Sequence, residues 1–507
     1  MKTMESFKYG IDRLTVDKVL KISREHLKGI LSDEVRERII NNHKVIRSIV
    51  KGDKLVYSIN TGFGSLCTTR ITKEETVKLQ ENLLKSHSVG VGPPIEQEIS
   101  KLMLILKVHA LSMGYSGISI EVIERICWHI DNNYIPLVPE QGSVGASGDL
   151  APLAHLFLPL IGLGFLSKDG KNFTPTEIVL RENNLEPIKL QAKEGLALIN
   201  GTQFITAHAI KVSKKLFSCL DHADIIGALT LESYLASPQP FVEKLIKLRP
   251  HKGALIVAER MRRLLENSEM VESHKDCGRV QDPYSIRCIP QVHGASRDAI
   301  FHFNEILECE LNSVTDNPII FSEDETYSGG NFHGQPLALP LDYISIAASE
   351  LGNISDRRIF LLLEGKWDLP PNLIHNPGLN SGFMLTQYTS AALVSENKTL
   401  CFPASVDSIP TGAGQEDHVS MAPISARKAL KIIDNLEKIL AIELLCACQA
   451  FDFRRPLKSS EILEACHHYI REKIPFVKED TLLSDYINLA IEVIRNNELI
   501  NITQQFQ

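Results

Sequence analysis

Residues 142–150 read GSVGASGDL, with three glycines and two serines crowded into the seven positions before Asp149. A helix start needs one capping side chain, and Asp149 followed by Pro152 is an ordinary start signal for the apolar stretch that comes next. We therefore predict that Asp149 caps the following helix. The three glycines remain unexplained, because a cap does not require so much backbone freedom. These additional glycines indicate a second, chemical role for the loop.

Two known types of glycine-rich site do not match this loop. A nucleophile elbow needs Gly-x-Ser-x-Gly, but Gln141 stands two residues before Ser143. Ser147 fails on the other side, since Asp149 follows it by two residues. A phosphate-binding loop needs a lysine with serine or threonine after its glycines, or a parallel βαβ unit, and neither pattern occurs here. The loop thus argues against a serine hydrolase and against a nucleotide-binding protein.

The tripeptide Ala146-Ser147-Gly148 allows a reaction of the backbone itself. The Gly148 amide nitrogen could attack the Ala146 carbonyl carbon and close a five-membered ring. Loss of water from the ring and of the Ser147 hydroxyl would leave an exocyclic methylene, which is a strong electrophile. Glycine leaves the attacking nitrogen unhindered, alanine keeps the carbonyl accessible, and serine carries the group that is eliminated. A helix N-terminus beside such a ring would stabilise developing negative charge.

The longer segment GSVGASGDLAPLAH (142–155) resembles the signature of the histidine/phenylalanine/tyrosine ammonia-lyase family, whose Ala-Ser-Gly becomes 4-methylideneimidazol-5-one (MIO). Seven further motifs occur in the family's order: YSINTGFGSL (57–66), LQENLLKSHSVGVG (79–92), EGLALINGTQ (194–203), VQDPYSIRC (280–288), GGNFHG (329–334), GLNSGFM (378–384) and QEDHVSM (415–421). The resemblance implies ammonia elimination from an aromatic amino acid, with MIO formed autocatalytically from Ala146-Ser147-Gly148 and no external cofactor.

The resemblance also implies the fold, a mainly α, fumarase/aspartase-like architecture in which a long-helix bundle carries small β hairpins and loops. Three proline-free tracts agree with it, because proline disrupts helix interiors. They span residues 188–237, with an interruption near Asn200–Gly201, and residues 341–368 and 424–455. The sequence therefore predicts long helices in each tract.

Short runs rich in β-branched and aromatic residues predict strands at 55–59 and 318–321. We divide the chain into an N-terminal domain, residues 1–195, which carries the Ala-Ser-Gly loop, and residues 196–507, a long-helix bundle that serves oligomerisation and completes the active site. The family is homotetrameric with active sites shared between subunits, so the resemblance implies a homotetramer.

Ammonia elimination needs an electrophile for the amine, a base for the β-proton and an anchor for the carboxylate. In the family the β-proton role is usually given to the tyrosine of the first motif, here Tyr57. Tyrosine and carboxylate chemistry alone leaves Tyr57, Tyr284 and Glu416 as alternative bases. The predicted catalytic residues are Tyr57, Ala146, Ser147, Gly148, Tyr284 and Glu416.

Arg287 is the predicted carboxylate anchor, because its planar guanidinium matches a carboxylate with two hydrogen bonds. The resemblance implies that the amides of Asn200 and Gln281 contact the prosthetic ring and the substrate. It further implies that Phe332 packs against the ring or the substrate. The predicted substrate-binding residues are His87, Asn200, Gln281, Arg287, Phe332 and Gln415.

Two positions favour L-histidine as the substrate. Ser86-His87 stands where histidine lyases of the family have Ser-His, and Glu416 stands where members acting on other aromatic substrates usually carry glutamine. A neutral imidazole offers one donor and one acceptor, which match Glu416 and His87. A phenyl ring would leave both groups unpaired, at about 1–3 kcal/mol each. We predict trans-urocanate and ammonia as products, the first step of histidine degradation.

Three alternatives remain open. A related aminomutase would use the same ring and return ammonia to the β-carbon, and a sister lyase would act on another aromatic amino acid. A catalytically inactive helical scaffold would keep the fold without the ring. Ser88-Val89 and Gly414, beside the substrate-selecting residues, depart from the usual family pattern.

The composition of this 507-residue chain argues against several classes of binding partner. Its formal net charge of −8 argues against a nucleic-acid surface. Residues 150–167 are uncharged, but their prolines and glycines are typical of a core segment rather than a membrane span. Ten scattered cysteines predict buried free thiols in the reducing cytoplasm, and no metal-ligand spacing occurs, so we expect no metal.

Overall fold

Helices dominate the chain in a computed structural model, which describes residues 5–51 and 73–506. Tyr57, the strand predicted at 55–59 and the motif at 57–66 lie outside the described residues. The helices are α1 (Val16–Ser23), α2 (Asp33–Lys51), α3 (Lys73–His87), α4 (Gln97–Leu111), α5 (Ile120–Asp131), α6 (Leu150–Phe157), α7 (Thr176–Glu182), α8 (Glu194–Ile199), α9 (Gln203–Ser233), α10 (Glu243–Ile246), α11 (Lys252–Leu264), α12 (Glu269–Glu272), α13 (Tyr284–Arg287), α14 (Ile289–Glu310), α15 (Gln335–Leu363), α16 (Met384–Leu400), α17 (Ala422–Asp452), α18 (Glu461–Lys473), α19 (Leu483–Arg495) and α20 (Glu498–Gln504).

The long helices occupy the three proline-free tracts, as predicted. In the first tract α8 ends at Ile199 and α9 begins at Gln203, so the expected interruption near Asn200–Gly201 is confirmed. In the second tract α15 begins earlier than predicted, at Gln335, continues through Pro340 and ends at Leu363. In the third tract α17 runs from Ala422 to Asp452. One face of α17 is fully buried through Ile433, Leu436, Leu440 and Leu444. Burial of such a stripe, rather than helix propensity, stabilises helices of this length.

The strands are short and pair in small sheets. They are β1 (Ser6–Lys8), β2 (Lys28–Ile30), β3 (Val91–Pro94), β4 (Ile135–Pro136), β5 (Pro139–Gln141), β6 (Phe165–Ser167), β7 (Thr174–Pro175), β8 (Ile319–Ile320) and β9 (Thr326–Tyr327). β3 pairs antiparallel with β5, which places the segment after His87 beside the strand that leads into the Ala-Ser-Gly loop. The strand predicted at 318–321 is confirmed as β8, antiparallel to β9.

The chain divides into two compact units, each assembled from three segments. The first unit contains Met1–Lys211, Glu305–Leu341 and Pro403–Arg427. The second contains Val212–Asn304, Asp342–Phe402 and Lys428–Gln507. The functional division after residue 195 stays a prediction.

The cysteine prediction holds only in part. All nine cysteines in the described ranges are free, and four of them are buried, but Cys277 and Cys309 are exposed. Within residues 5–51 and 73–506 no helix combines the length and the apolar character needed to cross a membrane. The same residues contain no group of three or more His, Cys, Asp and Glu side chains that could hold a metal ion.

Candidate active site

The loop at 142–149 connects β5 to α6 in a conformation that depends on glycine. Ser147 has a φ of 51° and Gly148 a φ of 80°, both in the left-handed region. A Cβ atom on Gly148 would lie 2.2 Å from the carbonyl oxygen of Gly201, so only glycine fits there. A serine in this region is uncommon, and such strained residues are concentrated at functional sites.

Three separated motifs meet around the buried Ser420. A Cβ atom on Gly145 would lie 2.3 Å from Ser420 Oγ, and one on Gly334, in the GGNFHG motif, would lie 2.9 Å from it. Next to it the Met421 N–H donates to the Val144 carbonyl at 2.9 Å. Close backbone approach at two glycines therefore sets the distance between the loop and the segment that precedes α17.

The prediction that Asp149 caps the following helix is wrong. Asp149 occupies the N-cap position of α6, but its side chain makes no capping bond there. Its Oδ2 instead accepts from the backbone N–H groups of Phe204 and Ile205, at 2.8 and 3.1 Å, in the first turn of α9. Burial raises the pKa of Asp149 to about 8, although these two donors lower it. The loop is thereby tied to a helix start more distant in sequence.

Asn200 lies in the gap between α8 and α9 and contacts the loop directly. Its Nδ2 donates to the Ser147 carbonyl oxygen at 3.2 Å. Its Oδ1 is buried and has no hydrogen-bond partner among the described residues. The next residue, Gly201, pairs with Gly148 in a parallel bridge. The helix interruption therefore presents an amide side chain to the loop.

Glu416 contacts the side chain of the same serine. The Ser147 hydroxyl donates to Glu416 Oε1 at 3.1 Å, and the Thr411 hydroxyl donates to Oε2 at 2.8 Å. The two partners of the first bond are 269 residues apart in the chain. Ser147 is thus held through its carbonyl by an amide and through its hydroxyl by a carboxylate.

His87 is the last residue of α3 and is half-buried. Its Nδ1 lies 3.0 Å from the Ser86 hydroxyl oxygen. Partial burial lowers the pKa of His87, whereas a hydrogen bond to Leu83 and the charge of Glu416 raise it. The electrostatic effect of Glu416 indicates that these two predicted specificity residues lie near each other.

Phe332 and Gln415 lie in the segments that flank this arrangement. Phe332 is half-buried, and the next residue, His333, has its Nε2 3.3 Å from the His418 carbonyl oxygen. Gln415 is exposed, and its backbone N–H donates to the Gly412 carbonyl at 3.2 Å. The structure thus places both residues in the motifs next to Ser420, with no direct side-chain contact to Ser147 among the described hydrogen bonds.

Gln281, Tyr284 and Arg287 belong to the second unit. Gln281 and Arg287 line a cavity of about 630 Å³, which also includes Asp282 and Cys288. The Arg287 guanidinium carbon lies 4.4 Å from the centroid of the Tyr284 ring. Arg287 Nε is buried and has no hydrogen-bond partner within the described part of the chain. A guanidinium that lines a cavity and has a donor without a protein partner suits an anionic ligand such as a carboxylate.

Buried polar contacts hold the segment that carries these residues. Asp282 accepts from the Ser237 N–H and from Arg279 Nη1, both at 2.8 Å. At the next turn, the fully buried Arg358 donates from Nη1 to the Ser285 carbonyl at 3.3 Å. These contacts tie α13 and the residues before it to neighbouring parts of the second unit.

The sequence model of the aromatic amino acid lyases matches residues 14–472. The chain belongs to the aromatic amino acid lyase family. This confirms the family resemblance carried by the Ala-Ser-Gly loop and the seven other motifs.

Relatives of this aromatic amino acid lyase match it over nearly their whole length. The histidine ammonia-lyase of Natranaerobius thermophilus is 46% identical over 474 residues, 93% of each chain. That of Sorangium cellulosum is 47% identical over 491 residues, 95% of each chain. Among solved structures, histidine ammonia-lyase from Trypanosoma cruzi superposes with a TM-score of 0.91 at 42% identity, covering 99% of this chain and 96% of the other. Tyrosine aminomutase from Streptomyces globisporus gives 0.93 at 34%, covering 99% of both. The predicted mainly α fold is thus confirmed.

Sequence analysis missed three residues that shape the site of this lyase: Lys107, Thr411 and Ser420. Lys107 donates from Nζ to the Asn200 carbonyl oxygen at 2.7 Å. It interrupts the otherwise apolar run LMLILKVHAL (102–111), apart from His109, and a charged residue in such a helix was a usable signal. Ser420 lies within the motif QEDHVSM, but the motif by itself gave that serine no role. Thr411 carried no comparable signal, because a lone hydroxyl in a loop is usually a turn residue.

Proposed function

We propose that this aromatic amino acid lyase eliminates ammonia from L-histidine and releases trans-urocanate, the first step of histidine degradation. The surroundings of Ser147 carry the proposal. Its backbone is left-handed, its carbonyl accepts from Asn200, and its hydroxyl donates to Glu416. A helix cap needs neither this conformation nor these two contacts.

We further propose that MIO forms from Ala146-Ser147-Gly148, and the residues present fit that group. The Ser147 carbonyl would become the ring carbonyl, and the Asn200 amide already donates to it. The Gly148 nitrogen would enter the ring, and the tight packing against Gly201 leaves no room for a larger residue at that position. When formed, MIO supplies an electrophile that takes up the substrate amine.

The chain's own side chains would bind and orient the substrate. Arg287, whose buried Nε has no partner among the described residues, holds the carboxylate with charge-assisted hydrogen bonds. Tyr57 takes the β-proton, with Tyr284 and Glu416 as the alternative bases. Gln281 lines the cavity beside Arg287 and contacts the substrate. Phe332 and Gln415 complete the walls next to the Glu416 segment.

The choice of histidine rests on Glu416 and His87. Burial lowers the pKa of His87, which favours a neutral ring able to exchange a hydrogen bond with the substrate imidazole. The Glu416 oxygen that accepts from Ser147 would become available once that hydroxyl is eliminated. The names of the relatives from Natranaerobius thermophilus, Sorangium cellulosum and Trypanosoma cruzi support the same substrate.

We also propose a cytoplasmic homotetramer with active sites shared between subunits, in which residues 196–507 serve assembly. Large apolar side chains are exposed in the second unit, with exposed fractions of 83% at Leu248, 95% at Val280 and 86% at Leu379. Apolar residues exposed to this degree favour contact with another protein surface.

Two measurements on the purified protein test the proposal. Incubation with L-histidine should yield trans-urocanate and ammonia. Chromatography and ultraviolet absorbance measure the urocanate. The intact mass should be lower than the sequence mass by two water molecules. S147A should keep the full sequence mass, assemble normally and lose turnover. Release of β-histidine would replace the lyase proposal with an aminomutase, and an unmodified mass would support an inactive scaffold.

A further inference from the structure

Lys107 is a fully buried lysine in the apolar helix α4. An ammonium group removed from water is costly unless it is paired or hydrogen-bonded. The other buried lysines of the first unit have carboxylate partners, at 2.8 Å for Lys193 with Asp316 and 3.2 Å for Lys101 with Glu25. Lys107 has no carboxylate within ion-pair distance among the described residues. Its position therefore needs another explanation.

The Lys107 side chain ends at two oxygens, a backbone carbonyl in the gap between α8 and α9 and a side-chain amide at the start of α9. Nζ donates to the Asn200 backbone carbonyl at 2.7 Å and lies 3.5 Å from Gln203 Oε1. Asn200 is extended, with φ −88° and ψ 127°, so its carbonyl points away from the helical hydrogen-bond pattern. A buried carbonyl without a donor would be destabilising. Lys107 thus stabilises Asn200, whose side chain reaches the Ser147 carbonyl.

Charge and burial around Lys107 support a donor role rather than an ion pair. Burial lowers its pKa to about 7; Asp316 and Asp149 raise it, and Lys193 lowers it further. Asp316 already accepts from Lys193 Nζ at 2.8 Å and from the Ser116 hydroxyl at 3.2 Å. Both the ammonium and the neutral amine carry N–H groups, so Lys107 donates to the Asn200 carbonyl in either state.

We propose that Lys107 is a positioning residue that holds the Asn200 backbone so that the Asn200 amide is directed at the Ser147 carbonyl. The inference rests on the proposed function, in which that carbonyl belongs to the electrophile. Its effect is transmitted through Asn200, and Lys107 itself touches neither substrate nor ring.

The test compares K107M with K101M, which removes a second buried lysine from the same helix. K107M should lower kcat about 10²-fold with KM nearly unchanged, because a small misplacement of a catalytic donor has an effect of this size. K101M should keep the wild-type kcat. K107R should recover much of the lost kcat, because a guanidinium N–H can donate to the same carbonyl. Equal kcat values for K107M and K101M would overturn the proposal.

A double variant separates positioning from general destabilisation. If Lys107 acts through Asn200, K107M/N200A should have the same kcat as N200A within about twofold. A double-variant kcat that is lowered by the product of the two single-variant factors would contradict the proposal.

Crystal structures of the wild type and K107M decide the question without reference to activity. Asn200 Nδ2 should lie within hydrogen-bond distance of the Ser147 carbonyl, or of its ring equivalent, in the wild type only. An unmoved Asn200 in K107M would overturn the inference even if the wild type proved active. A wild type with unmodified mass and no turnover would instead refute the proposed function. If K107M does not fold, the crystal structure of K107R replaces it as the test. The introduced guanidinium must then donate to the Asn200 carbonyl oxygen, and a guanidinium without that hydrogen bond would overturn the inference.

Discussion

The Ala-Ser-Gly loop of the first unit and the Gln281–Arg287 segment of the second unit are built in opposite ways. In the loop, the Ser147 carbonyl and hydroxyl both have protein partners, and Gly148 packs against Gly201 with no space to spare. In the segment, Tyr284 is 69% exposed and Arg287 presents a buried donor that no described residue accepts from.

The difference follows from the chemistry proposed for each region. A strained backbone persists only where its surroundings over-determine it, so a loop that must react with itself needs every contact in place beforehand. A residue that binds a carboxylate must keep its donors open until the substrate arrives, since a protein partner would compete for them. One region is complete within its unit, and the other is completed by its ligand.

The largest expected effect is that of a Gly→Ala substitution in the loop, and the same substitution near the Gln281–Arg287 segment is its control. G148A should abolish turnover and keep the full sequence mass, because its Cβ would lie 2.2 Å from the Gly201 carbonyl oxygen at a φ of 80°. At Gly278, just before the open segment, an added Cβ atom would meet no described atom within 4 Å beyond its chain neighbours. G278A should therefore keep wild-type turnover, and its mass should still be lower than its own sequence mass by two water molecules. Similar losses in both variants would remove the contrast.

A smaller effect is expected from R287K. Lysine keeps the positive charge but loses the two-pronged geometry of the guanidinium. KM for L-histidine should rise about 10–100-fold, corresponding to the loss of one charge-assisted hydrogen bond, while kcat changes less. R249K, at an exposed arginine of the same unit, is the control and should leave KM unchanged. Steady-state kinetics measure both, and an unaltered KM in R287K would exclude Arg287 as the anchor.

The last expected effect concerns the stability of the first-unit loop rather than turnover. Burial raises the pKa of Asp149 in the native state to about 8, against about 3.9 in an unfolded chain. Between these values the native state holds a proton that the unfolded state has released, so the wild type loses stability as pH rises from about 4 to about 8. D149N keeps an acceptor for Phe204 and Ile205 but does not titrate.

Urea denaturation of both proteins across that pH range measures the difference. The unfolding free energy of the wild type should fall relative to that of D149N up to about pH 8 and then remain level. A constant difference between pH 4 and pH 8 would show that Asp149 is ionised in the native state.

The predictable part of the fold consisted of local features. Long stretches without proline predicted α9, α15 and α17, and Gly201, which needs an unusual φ of 137°, marked the interruption between α8 and α9. Both signals depend only on backbone restrictions of the residues concerned. The family motifs, read in order, extended this to the whole architecture.

Contacts between distant segments were not predictable in the same way. The N-cap pattern at Asp149 was present, yet its side chain caps α9 instead of α6, because the start of α9 packs against the loop. In the sequence Lys107 is an isolated charge in an apolar helix, and only the fold brings it to the Asn200 carbonyl. Polar side chains in such positions have several acceptable partners, and only packing selects one.

The sequence by itself determined the scaffold and the atoms that are proposed to form the prosthetic ring. The order Ala146-Ser147-Gly148 sets which nitrogen, carbonyl and hydroxyl are available for ring formation, and that chemistry is a property of adjacent residues. The tertiary structure alone decided what surrounds them: Glu416 on the Ser147 hydroxyl, Asn200 on its carbonyl and Lys107 behind Asn200. Hydrogen bonds act over about 3 Å, so they depend on distances that chain folding sets and that residue order does not contain.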